Sequence, residues 1–136
     1  MNQAEEEERE YDWLGAIEFY KKALCLAPET DFLKRGQVQE RVGYALYRAG
    51  MQADNVDQFR EMMRQAGSNY KKAKESYGKL NAATRMPRLF RCDAMIAYIG
   101  YWIASEVPEK KRLVDECWTL TKEGLRAFKE AEDARE

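Results

Sequence analysis

Residues 59–80 read FREMMRQAGSNYKKAKESYGKL. Phe59, Met63, Ala66, Tyr70, Ala73, Tyr77 and Leu80 recur in steps that alternate between four and three. An α-helix turns once every ~3.6 residues, so these side chains share one stripe while the Lys, Arg, Glu and Asn between them face water. The same alternation runs through Trp13, Ile17, Tyr20, Leu24 and Ala27, and through Val114, Trp118, Thr121, Leu125 and Phe128. Each stripe predicts an apolar face packed against a neighbouring helix. No comparable run alternates every second residue, so strands are not expected.

The breaks between stripes set the helix boundaries. Pro28 disfavours α geometry at Ala27 and closes the first strong helix. Thr30 or Asp31 is placed to cap the next, and Asp54 or Asn55 the one after the 50–55 turn. The 81–87 stretch separates the third helix from the fourth. Ser105 is placed to cap the last, with Pro108 in its first turn. The resulting map is a short helix at 3–10, then helices at 12–27, 31–51, 55–80, 87–104 and 106–134. The short links predict antiparallel neighbours. The expected fold is all-α: one helical domain over 1–136, with antiparallel hairpins stacked as a short right-handed array or bundle.

Composition agrees. With 45% hydrophobic residues in 136, the chain is too apolar for a disordered tail, and 8 Gly with 3 Pro are too few for a loop-rich β fold. The net charge of −1 argues against a globally basic nucleic-acid binder. The charge is nevertheless uneven. Residues 1–12 are strongly acidic, whereas Arg60, Arg64, Lys71, Lys72, Lys74, Lys79, Arg85, Arg88 and Arg91 are opposed in their own stretch only by Glu61 and Glu75. Such an excess attracts phosphate or acidic peptide if it forms one surface, and is a solvated helix face otherwise.

Chemistry-bearing motifs are sparse. There is no His, which removes the commonest general base and neutral metal ligand. Cys25, Cys92 and Cys117 are far apart, form no CxxC, and each sits in an apolar pattern where a thiol acts as a small hydrophobe. A reducing, cytoplasmic setting is expected, with no signal peptide ahead of the Glu-rich start. Residues 94–104 are the most apolar stretch and are too short to span a bilayer, so membrane insertion is not expected. No phosphate-cradling glycine motif or nucleophile elbow occurs. The carboxylates at 5–8 point in different directions on a helix and suit its N-terminal dipole better than a metal. Asp93 is expected in an ion pair or a cap. No cofactor, metal or catalytic residue is expected, and the chain reads as a non-enzyme.

The sequence also repeats. At an offset of 51, Tyr47 matches Tyr98, Val56 matches Val107, Met63 matches Val114, Ala66 matches Cys117, Ala73 matches Gly124 and Tyr77 matches Phe128. Two similar hairpins therefore follow one another, and repeated hairpins bury a shared core by stacking.

Within this frame the segment AIEFYKKAL (16–24) closing at Pro28 resembles the second helix of a tetratricopeptide repeat, with Ala16, Tyr20, Ala23 and Pro28 at the expected spacings. VGYALYRAG (42–50) resembles the first helix of the next repeat, and YKKAKESY (70–77) its partner. The first segment is also similar to the microtubule-interacting-and-transport three-helix domain. The repeat is expanded, since Gly50 to Ala73 carries about five turns more than the family's 34-residue unit. The units implied are about 1–28, 31–82 and 86–134, the first beginning part-way along its first helix. The similarity weakens after Ala82.

In that family the first helices of the repeats line a concave groove that binds peptide segments. The resemblance implies Glu40, Tyr44, Tyr47 and Arg48 on this face, joined through the 51-residue offset by Arg91, Met95 and Tyr98, with Arg88 at the edge. The Lys and Asn that clamp a C-terminal carboxylate in the chaperone-binding subset are replaced here by Glu40, Tyr44 and Cys92, so that clamp is not implied. The leading expectation is a non-catalytic protein–protein interaction module or scaffold unit that takes a protein or peptide segment, either by itself or within a larger protein. A second reading is nucleic-acid or other polyanion binding through 60–91. A third is a small-molecule sensor between the long helices. A homodimer is also compatible with the sequence.

Overall fold

The structure is a computed structural model in which residues 12–133 are described. It contains five α-helices: α1 (Trp13–Leu26), α2 (Phe32–Met51), α3 (Val56–Tyr77), α4 (Ala82–Ile103) and α5 (Val107–Asp133). No strand occurs among the described residues. Each helix packs on its neighbours in the chain. The all-α, helical-repeat-like expectation holds. The expected helix at 3–10 lies outside the described residues.

Local chemistry fixes the starts. Asp12, Asp31, Asn55 and Asn81 each accept a backbone N–H three residues on, from Gly15, Lys34, Gln58 and Thr84, at 2.8–3.2 Å. Each satisfies one of the N–H groups that a helix leaves unpaired at its first turn. Of the alternatives the sequence left open, Asp31 and Asn55 are therefore the caps.

Three boundary expectations need correction. The fourth helix begins at Ala82 and not at 87, because Asn81 caps it and Pro87 lies inside it. Pro87 removes the donor to the Ala83 carbonyl and crowds it, and because Ala83 is exposed in the first turn its carbonyl can tilt toward solvent. The third helix closes at Tyr77, where the Gly78 N–H donates to the Lys74 carbonyl at 2.8 Å. In α5 the first carbonyl to accept a helical bond is that of Glu106, from the Lys110 N–H, so Ser105 is not the cap.

The centre of the molecule is the α2–α3 seam. Gly36, Gly43 and Gly50 lie at seven-residue intervals on α2, and Tyr77, Tyr70 and Met63 descend α3 at the same interval in the opposite direction. A Cβ on Gly36 would stand 2.5 Å from the Tyr77 ring. One on Gly43 would stand 2.9 Å from the Tyr70 ring, and one on Gly50 3.2 Å from the Met63 methyl. The two tyrosine rings thus lie directly on glycine backbone. The buried polar pair Gln39 and Ser76 hydrogen-bond to each other across the same seam at 2.6 Å, which removes the penalty of burying either alone.

On one side of this seam, α1 contributes Trp13, Ala16, Ile17 and Tyr20 to the core. On the other, α4 contributes Cys92 and Ile99, and Lys74 of α3 reaches Asp93 at 2.6 Å. The stripes of α1 and α3 are therefore the buried faces that their spacing predicts.

The stripe of α5 is not. Val114, Trp118, Thr121, Leu125 and Phe128 are all exposed. The helix instead docks on α4 through an adjacent row in which Leu113 meets Gly100 and Gly124 meets Phe90. Leu113, Cys117, Leu120, Gly124 and Ala127 are the shielded positions. Small residues at 117, 124 and 127 allow the closer approach, and a helix with one neighbour can bury only one of two adjacent apolar rows. Cys25 also departs from expectation: it is exposed, while Cys92 is buried.

The seam generates a graded stability prediction. Gly43→Ala pushes a methyl into the Tyr70 ring and should destabilise by about 1–3 kcal/mol. Gly67→Ala meets only the Ile99 methyl at 3.8 Å, so helix propensity should stabilise it by up to about 1 kcal/mol. Tyr77→Ala should cost about 3–5 kcal/mol. Urea denaturation of the three variants measures the order; equal midpoints for Gly43→Ala and Gly67→Ala would remove the close approach.

Candidate functional site: an aromatic groove between α2 and α4

Long side chains bridge α2 and α4, and residues 51 apart in sequence touch. The Tyr47 and Tyr98 hydroxyls are 3.4 Å apart. Arg91 grips Glu40 through two guanidinium nitrogens, the Nε bond being 2.8 Å. The internal repeat is thus expressed as contact between its own equivalent positions.

Along this side runs a continuous row of rings. Trp13 meets Tyr44 edge-on at 5.7 Å, Tyr44 neighbours Tyr47, Tyr47 meets Tyr98 at 5.8 Å, and Tyr98 contacts both Tyr101 and Trp102. Edge-to-face contacts of this kind add to apolar burial and hold each ring in place. The row starts in the core at Trp13 and emerges from it: Tyr44 is 37% exposed, and Tyr47, Tyr98, Tyr101 and Trp102 are half-buried.

Beside the row lies an open cleft of about 580 Å³, lined by Gln37, Glu40, Arg41, Tyr44, Tyr70, Tyr77, Arg91 and Met95. Four expected site residues, Glu40, Tyr44, Arg91 and Met95, meet in it. Tyr47 and Tyr98 continue its wall. Arg48 and Arg88 do not join the lining. The Arg48 guanidinium lies 5.4 Å from the Trp13 ring centre, clamping α1 to α2. Arg88 lies over the Tyr77 ring and donates to the Thr84 carbonyl at 2.8 Å.

The electrostatics follow from partial burial. The Glu40 side chain is only 14% exposed, so its charge depends on the two-point contact with Arg91. Burial opposes the Arg91 charge, but the hydrogen bonds and attraction of Glu40 outweigh it and raise the Arg91 pKa. Burial pushes the Tyr70 and Tyr77 phenols upward. The Tyr77 hydroxyl has no hydrogen-bond partner; Glu40 acts on it electrostatically from outside bonding geometry. Tyr47 is pushed up to about 12, first by burial and then by its bond to Tyr98. Burial likewise raises the Cys92 thiol, which suits a structural and not a reactive cysteine.

Sequence reasoning missed Gln37 and Arg41, although they share a helix face with Glu40 and Tyr44 at spacings of three, four and seven. It read Tyr70 and Tyr77 only as core. They are both core and cleft floor, a dual role that a periodicity pattern does not encode. Among the described residues no group of His, Cys, Asp and Glu side chains is placed to hold a metal ion. No helix is long and apolar enough to cross a membrane. Compared with known proteins, the chain matches no family model, no curated protein and no solved structure.

Two outcomes follow. Arg91→Ala strands a mostly buried Glu40 carboxylate and should cost about 1–3 kcal/mol at neutral pH, read by thermal or urea unfolding. The raised Tyr47 pKa means that folding favours its neutral form. Its contribution is fully present below the ordinary value of 10 and is lost as pH rises through about 12. Phenolate absorbance during alkaline titration should show Tyr47 ionising late along with the buried Tyr70 and Tyr77, and Tyr47→Phe should remove the step near 12 while leaving the later ones.

Proposed function

We propose that the protein is a non-catalytic interaction module that binds a segment of another protein along the α2–α4 groove. The observation that carries this reading is the half-exposed aromatic row from Tyr44 to Trp102, with the Glu40–Arg91 pair at the cleft beside it. Tyr, Trp and Arg are the residue types that dominate binding hot spots, and here their rings are already held by neighbours, so little ordering is lost on binding. Paired donors and acceptors at the rim suit the backbone and polar side chains of an extended or helical peptide. The finer assignment, a tetratricopeptide-like array with expanded helices, is part of the same proposal. It rests on the 16–28, 42–50 and 70–77 segments and on the stacking of positions 51 apart.

The basic stretch supports a polyanion reading less well. Lys74 pairs with Asp93, Arg91 with Glu40 and Arg64 with Glu61. Lys79 sits over Phe32, and Arg85 donates to the Gly78 carbonyl. These cations are engaged within the chain, which leaves Arg60, Lys71 and Lys72 as the exposed cations of the stretch without such a contact among the described residues. The cleft is not an enclosed cavity, which suits a chain segment better than an enclosed small molecule.

Selection of a displayed-peptide library on the purified protein tests the reading. Binders should lose at least about tenfold in affinity on Tyr44→Ala and on Tyr98→Ala, the scale of a hot-spot residue. They should keep it in Lys71→Glu/Lys72→Glu. Binders indifferent to both tyrosines, or a salt-sensitive gel shift with nucleic acid abolished by the lysine change, would overturn it.

A further inference from the structure

The exposed row on α5 has its own geometry. Val114, Trp118, Thr121, Leu125 and Phe128 follow the alternating four- and three-residue steps of a coiled-coil seam, Val107 stands one heptad before Val114, and Lys111 fills the step between them. At ~1.5 Å per residue the seam is about 32 Å long. Val107 is 77% exposed, Trp118 63% and Leu125 67%. No other helix among the described residues presents such a row.

The internal repeat shows what this face is built for. In α3, Phe59, Gly67 and Lys74 meet Trp102, Ile99 and Asp93 of α4. The residues 51 further on are Lys110, Trp118 and Leu125. Trp118 and Leu125 therefore stand at positions where α3 receives the next helix, and Val114, Thr121 and Phe128 at those of Met63, Tyr70 and Tyr77, which receive α2. A helix is the shape that fits it.

The charges choose which helix. On the outer face of α5 they are satisfied internally: Arg112 bonds Glu109 and Glu116, and Arg126 reaches Glu123. Lys111, Asp115, Lys129 and Glu132 flank the seam, are exposed, and make no ion pair among the described residues. Their order is complementary to itself when read backwards. With a two-fold axis midway between Thr121 and Lys122, an antiparallel copy sets Lys111 against Glu132 of the second copy and Asp115 within one residue of Lys129 of the second copy. The same axis sets Trp118 against Leu125 of the second copy and Val114 within one residue of Phe128 of the second copy. The small Thr121 at the axis allows close approach, and Lys122 is drawn off it onto the Trp118 ring, 4.9 Å from the ring centre. A parallel copy would instead stack each charge on its like.

We propose that the protein forms a two-fold homodimer through an antiparallel α5–α5 seam centred on Thr121. The interface is isologous and closes on itself, so it covers the exposed face of α5 without propagating. It leaves the α2–α4 groove of both copies free.

Sedimentation equilibrium on the full chain over a concentration series tests this. The expected mass approaches twice the 15.9 kDa of one chain. Trp118→Glu, at a position exposed in the single chain, should keep the helical circular dichroism and abolish the dimer. Lys111→Glu should weaken association by about tenfold, because it turns two symmetric attractions into repulsions. Lys111→Glu/Glu132→Lys should restore it. A single-chain mass at every concentration overturns the proposal, as does a dimer indifferent to Trp118→Glu. A dimer tightened by Lys111→Glu points to the parallel arrangement and overturns the antiparallel one. A chain that stays monomeric but captures an unrelated amphipathic helix on this seam gives the face to another partner.

Discussion

The laying of two tyrosine rings on two glycines is the contact on which the other parts of the molecule depend. Tyr77 on Gly36 and Tyr70 on Gly43 bring α2 and α3 together at a distance that no side chain beyond hydrogen permits. Because both series advance by seven residues, the contact fixes axial register as well as distance: a slip of one turn would drive a ring into a side chain. Glycine is costly inside a helix, by roughly 1 kcal/mol each. Burial of two aromatic rings and of Met63 offsets that cost.

The candidate groove is placed by this register. Drawing α3 close to α2 brings α4, which packs on α3, within side-chain reach of α2. Glu40 then meets Arg91, and Tyr47 meets Tyr98. The aromatic row and the cleft are the surface left where these two helices meet. Their floor consists of the same Tyr70 and Tyr77 that lock α2 to α3. Core and cleft therefore share residues, and a change that loosens the glycine contacts should also spoil the groove.

Most of this was legible where a helix has two neighbours. Trp13, Ile17, Tyr20, Met63, Ala66, Tyr70, Ala73 and Tyr77 are buried as their spacing requires. The 51-residue repeat correctly anticipated that Tyr47 and Tyr98, like Glu40 and Arg91, come together. The reading failed where a helix has one neighbour. In α5 the apolar arc is wide enough for two rows, and periodicity cannot say which one α4 covers. The spacing of large apolar residues favoured the row with Trp118 and Leu125, while close packing favoured the row with Gly124. The Pro87 boundary failed for a related reason. A proline reads as a break, but near the first turns of a helix the carbonyl that it crowds can tilt toward solvent. Arg48 and Arg88 share faces with site residues, yet each is drawn away by an aromatic ring, Trp13 and Tyr77. Spacing places a Cα, and the nearest ring decides where a long cationic side chain ends.

The most direct test of the account is the proton NMR spectrum of the glycines in the α2–α3 seam. A tyrosine ring lying on a glycine backbone displaces the Hα resonances of that residue upfield. The account requires Gly36 and Gly43 to show such displaced Hα protons, with nuclear Overhauser contacts to the rings of Tyr77 and Tyr70 respectively, while Gly67 stays at an ordinary glycine shift. Ordinary shifts at all three glycines, with no contact to either ring, would contradict it.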